Sequence, residues 1–132
     1  MQTISVVYNL NKGDKIFVDK YRDRYLLKNS KSKKNTQFMG WLLNTPEPKI
    51  IFDAFSQSSQ KTGKITYHGA YTNLGNGLNT SGGSFVAPVS GIYYFHFQGL
   101  TDTGDANLIN IKLNGKIVAS TFRNKRTVRI KV

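Results

Sequence analysis

The chain has no cysteine, three prolines, two histidines and only seven Asp and Glu among 132 residues. Each shortage excludes something. Without cysteine there are no disulfides, thiolate metal sites or cysteine nucleophiles. With only His68 and His96 there is no helix-borne His pair, and no Gly-x-Ser-x-Gly nucleophile pattern occurs. Gly75-Asn76-Gly77 and Gly82-Gly83 lack the spacing and the strand-to-helix context of a phosphate loop. No apolar run approaches the roughly 18–20 residues of a membrane-spanning helix. The polar residues after Met1 predict no signal peptide in this chain. Catalysis and a tightly bound cofactor are therefore not expected.

Short runs of period two are what the sequence has instead. Hydrophobic residues are 39% and aromatic residues 12% of the chain, enough for one globular domain of this length. Ile4, Val6, Tyr8 and Leu10 alternate with more polar neighbours, and Asn11-Lys12-Gly13-Asp14 reads as a turn before Ile16 and Val18. Residues 20–35 are polar and very basic, and predict a long loop. Residues 37–43 form an apolar strand, followed by the stiff Thr45-Pro46-Glu47-Pro48. Ile50, Ile51, Phe52 and Phe55 open another strand. Ile65, Tyr67, Gly69 and Tyr71 suggest a short alternating edge, and residues 73–83, rich in Asn and Gly, are irregular. Tyr93, Phe95 and Phe97 alternate strongly. Asn114-Gly115 is a hairpin signal that sets Leu113 opposite Lys116, Val118 opposite Ile111 and Ser120 opposite Ile109. About ten short strands imply an all-β jelly-roll sandwich.

One stretch carries a longer pattern: Asn73, Gly75, Asn76, then Gly83, Phe85, Ala87, Pro88, Gly91, Tyr93 and Phe95, with Lys112-Leu113-Asn114-Gly115 further on. It resembles the signature of the complement C1q-like globular head, in the C1q/tumour-necrosis-factor superfamily. The first third resembles the same family in the wrong order. Residues 5–18 are similar to its penultimate hairpin, and Thr36-Gln37-Phe38-Met39-Gly40-Trp41-Leu42-Leu43 to its last strand, whereas residues 49–55 resemble its first. Residues 1–43 thus match the family's C-terminal strands, 44–49 form a linker, 50–125 match its N-terminal and middle strands, and 126–132 are an unassigned tail. Two readings stay open. The favoured one is a circular permutant, a single domain over 1–132 with the usual ends joined and new ends opened in a loop. The other is a window across two tandem domains.

The net charge is +12, from 19 Lys and Arg. Twelve of these form two clusters: Lys20, Arg22, Arg24, Lys28, Lys31, Lys33 and Lys34, then Arg123, Lys125, Arg126, Arg129 and Lys131. In the strand order that the resemblance implies, both clusters fall at one end of the sandwich, beside the loop holding Asp102 and Asp105. Those two carboxylates are weak calcium candidates, because calcium takes six to eight oxygens and they supply a minority. The resemblance further implies a secreted, extracellular homotrimer with an aromatic-rich interface, notably Trp41, Tyr93, Tyr94, Phe95 and Phe97. The expected function is non-catalytic binding of anionic glycans, anionic surfaces or acidic proteins through the basic end. No motif supports sequence-specific nucleic-acid reading. Two rival readings are a structural subunit of a larger array and a cytokine-like receptor ligand.

Overall fold

The computed structural model describes residues 2–21, 36–56, 63–99 and 107–123. They form eleven strands: β1 (Gln2–Leu10), β2 (Lys15–Tyr21), β3 (Thr36–Leu42), β4 (Ile51–Ser56), β5 (Gly63–Lys64), β6 (Gly69–Leu74), β7 (Leu78–Asn79), β8 (Ser84–Val86), β9 (Gly91–Gly99), β10 (Asn107–Leu113) and β11 (Lys116–Arg123). Two antiparallel sheets result. The first has the order β1-β9-β3-β4-β6; the second has the order β11-β10-β2-β8-β7, with β5 on β2. The all-β sandwich expected from the sequence is what forms, in jelly-roll order.

Alternation explains which residues meet between the sheets. Ile4 and Leu10 of β1, Phe38 of β3, Phe52 and Ala54 of β4, and Tyr93, Phe95 and Phe97 of β9 face inward from the first sheet. Ile16 and Val18 of β2, Phe85 of β8, and Ile109 and Ile111 of β10 face them from the second. The centre is aromatic. Phe38 has its ring centroid 4.9 Å from Phe52 and 6.2 Å from Phe95, and Phe52 stacks on Phe85 at 4.8 Å. Gly40 makes room for this cluster. A Cβ on it would lie 2.7 Å from Phe95 and 2.8 Å from both a Phe52 ring carbon and the Tyr94 carbonyl oxygen.

The signature residues have identifiable work. The Asn73 side chain clamps the turn that follows β6: its Nδ2 donates to the Leu78 carbonyl at 3.0 Å, and its Oδ1 accepts from the Leu78 amide at 3.2 Å. Gly75 and Asn76 take positive φ within that turn. Buried Tyr93 donates its hydroxyl to the Val89 carbonyl at 2.7 Å. At the same end of the sandwich the 11–14 turn locks onto the hairpin. Asp14 accepts from the Asn11 amide at 2.8 Å and from Asn114 Nδ2 at 3.1 Å, and these bonds hold its carboxyl below the usual range. The Lys15 amide donates to Asn114 Oδ1, and the Asn114 amide to the Lys15 carbonyl.

Three local expectations change. Asn114 and Gly115 do turn the hairpin, and Leu113 does face Lys116. Beyond that, a bulge at Val118 slips the register, so Ile111 faces Ala119 and Asn110 faces Ser120. An extra residue on one strand shifts every later pair by one, and the Ser120 hydroxyl donates to Asn110 Oδ1 at 2.6 Å. Ile65 and Tyr67 are buried in a passage between sheets and are not part of an edge strand: the Ile65 amide donates to Val18 of the second sheet and the His68 amide to Phe55 of the first. Finally, β2 runs on through Lys20 and Tyr21, two residues into the stretch read as loop.

Candidate functional site

Strand ends locate the basic segments. Tyr21 ends β2 opposite Leu108; Thr36 begins β3 opposite Ser56, the last residue of β4; Gly63 of β5 faces Lys20. Gly99 ends β9 opposite Gln2, and Asn107 begins β10 opposite Arg123, the last residue of β11. Gln2 Nε2 reaches the Thr121 carbonyl at 3.5 Å, so the two sheets meet there. Residues 22–35, 57–62, 100–106 and 124–132 are therefore all flanked by strand termini at one end of the sandwich. In sequence these four segments carry eleven Lys and Arg against three Asp. The remaining twelve ionic side chains are eight Lys and Arg against four Asp and Glu.

Of the predicted site residues, Arg22, Arg24, Lys28, Lys31, Lys33, Lys34, Lys125, Arg126, Arg129 and Lys131 lie outside the described residues, as do Asp102 and Asp105. Arg123 terminates β11. Lys20 departs from expectation. It is only 1% exposed and shares the inward face of β2 with Ile16 and Val18. Ladder pairing to Ile109 on one side and Gly63 on the other carries it into the sandwich, away from the surface. Gln2, Thr36 and Ser56 are buried at the same end, so a polar layer closes the core beneath it.

A second feature is an apolar row across the outer face of the first sheet. Val7, Tyr94, Trp41, Ile51 and Leu74 are register neighbours, one from each of its five strands. Val7 is 54% exposed and Leu74 49%, at opposite edges, and Ile92 beside the row is 45% exposed. Trp41 and Tyr94 hold each other with ring centroids 4.7 Å apart. A contiguous apolar surface of this kind marks an interaction site more often than scattered exposed residues do. Of the five aromatics expected at an interface, Trp41 and Tyr94 lie on this face, while Tyr93, Phe95 and Phe97 are core residues. Val7, Ile51 and Leu74 escaped the sequence reading, because only register reveals that they are neighbours.

The next row is polar: Ser5, His96, Met39, Asp53 and Thr72. Ser5 Oγ is 2.8 Å from His96 Nδ1 and 3.2 Å from the Tyr94 hydroxyl. Gln37 Nε2 donates to Asp53 Oδ1 at 2.8 Å. Along the 44–49 connector, a cleft of about 440 Å³ is lined by Trp41, Pro46, Glu47, Lys49 and Ile51 among others. Among the described residues no group of three or more His, Cys, Asp and Glu is placed to hold a metal ion.

Two antiparallel sheets in jelly-roll order, packed on an aromatic core and bearing an apolar outer face, define an all-β sandwich module. The chain belongs to the C1q family: the C1q domain model matches residues 51–132, from the first residue of β4 onward. C1q domains are generally non-enzymatic, they typically form trimers, and the proteins that carry them are usually secreted. No curated protein and no solved structure gives a significant match. No helix of the described residues is long and apolar enough to cross a membrane.

Proposed function

We propose that this C1q domain is a secreted, homotrimeric recognition module that holds polyanions at its basic end. The observation that carries the reading is the placement of strand termini: the segments holding eleven of the nineteen Lys and Arg leave from one end of the sandwich. Three-fold assembly would gather three copies of that end. Weak individual contacts then add as avidity when one polymer reaches several of them. The ligand class is defined by charge, and covers anionic glycans, anionic surfaces and acidic proteins. The apolar row supports the trimer. A closed ring needs a heterologous contact, with two different patches on each chain, and the row offers exposed apolar residues at both edges of the sheet.

Heparin chromatography tests the binding. The wild type is expected to be retained and to elute steeply with salt. The triple variant Lys31→Ser, Lys33→Ser, Lys34→Ser should lose salt slope on the order of one unit per lysine removed, with unchanged circular dichroism. The Arg126→Ser, Arg129→Ser, Lys131→Ser variant should weaken likewise. Equal retention of all three proteins removes the proposal.

The permuted single-domain order is part of the same proposal. Its support is that the open ends are neighbours, Gln2 touching Thr121, and that Asn44 to Lys49 joins adjacent strands, with the Leu42 amide bonded to the Ile50 carbonyl at 3.0 Å. Opening the chain between Pro46 and Glu47 and joining residue 132 to residue 1 restores the family order. Because loop-closure entropy varies slowly with length, this relinked chain is expected to fold with stability within about 1 kcal/mol of the original. An unfolded or aggregating product would favour the tandem reading.

A further inference from the structure

We infer that the trimer carries an acid-sensitive joint at His96, an inference that rests on the trimeric reading above. His96 projects from β9 on the outer face of the first sheet, one row from the apolar row that the trimer would bury. Its neighbours are Ser5 on β1, Met39 on β3, and Tyr94 and Gln98 along its own strand. The nearest ionic group in its row is Asp53, two strands away, about 10 Å at ordinary strand spacing, with one carboxylate oxygen taken by Gln37. No Lys or Arg stands on this face of β1, β9, β3 or β4. Burying the face therefore encloses a neutral imidazole without cost in charge, but encloses an imidazolium with no counter-charge from its own chain in contact.

Protonation also rewires the hydrogen bonds that lead to the apolar row. With Nδ1 unprotonated, Ser5 donates to it and can accept from the Tyr94 hydroxyl. An imidazolium has N–H on both nitrogens, so Ser5 must accept from His96, and its own hydroxyl hydrogen turns away from His96 to another acceptor, the Tyr94 hydroxyl being the one within reach. Tyr94 is the residue packed on Trp41 at the middle of the row. A positive charge per copy is moreover added to an assembly of chains that each carry +12. Enclosing the face disfavours the cation. The trimer is then favoured at high pH and loses stability as pH falls.

The chain makes the test clean, because His68 is its only other histidine and lies beside Ser56, remote in sequence register from this row. Sedimentation equilibrium at pH 7.5 and 5.5, at constant ionic strength, reads the mass of the wild type, His96→Asn and His68→Asn. Circular dichroism at both pH values checks that each stays folded. The expected result is a wild-type trimer at pH 7.5 that dissociates at pH 5.5, His68→Asn following it, and His96→Asn trimeric at both. A wild-type trimer equally stable or tighter at pH 5.5 overturns the inference and leaves the trimeric reading intact. So does a His96→Asn trimer as acid-sensitive as the wild type. A wild-type monomer at pH 7.5 overturns the trimeric reading itself, and this inference with it.

Discussion

Replacing Phe38 by alanine is expected to lower the unfolding free energy by about 3–5 kcal/mol, the usual range for a buried phenylalanine. Phe38 is fully buried on β3, which lies between β9 and β4 in the first sheet. Its ring meets Phe52, Tyr67, Phe95 and Phe97 with centroids 4.9 to 6.5 Å apart. Rings that already touch one another cannot close easily over the hole, so the loss belongs in the upper half of the range. Domains of this size are stable by only about 5–15 kcal/mol, and the variant sits near the edge of folding. Urea titration followed by Trp41, the single tryptophan, measures it. The result also bears on chain order, because Phe38 precedes the residues matched by the family model. A loss under about 1 kcal/mol would mean that residues 51–132 hold their core without the first third of the chain.

Val7→Asp, and separately Leu74→Asp, are expected to leave the chain monomeric where the wild type forms the proposed trimer. Both side chains are about half exposed within the single chain, so a carboxylate at either position costs the monomer little. In a closed ring each would be buried three times. An unpaired charge enclosed at an interface costs several kcal/mol per copy, which far exceeds a ten- or hundredfold loss of association. A closed ring requires a heterologous contact, so in the proposed trimer a single substitution at either edge is enough. Light scattering across micromolar concentrations reads the mass, and an unchanged denaturation midpoint at low protein concentration separates lost assembly from lost folding. A trimeric mass in both variants would mean that the apolar row is not the contact surface.

Much of the core was legible in the sequence because alternation is local, although Tyr8, which shares the spacing of Ile4 and Leu10, is exposed. Ile4 and Leu10, Ile16 and Val18, and Tyr93, Phe95 and Phe97 each announce an inward face from their own few neighbours, and the structure buries all of them. Asn114-Gly115 announced its turn for the same reason. The errors arose where the determinant lay elsewhere in the chain. Lys20 continues the inward spacing of Ile16 and Val18, but its charge argued for a loop; pairing with residues 63 and 109 put it inside. The slip at Val118 depends on how β10 is fitted against β11 beyond the turn, which dipeptide chemistry does not specify.

By itself, the sequence determined the fold class and the family, since these reside in short patterns and in their spacing along the chain. Only the tertiary structure decided what lies side by side. The row of Val7, Tyr94, Trp41, Ile51 and Leu74, and the Ser5–His96 contact in the row beside it, join residues up to 91 positions apart through strand order and register. Each of those residues, taken alone, is an ordinary member of an alternating strand. Their adjacency is a property of how five strands are laid against one another, and no local pattern records it.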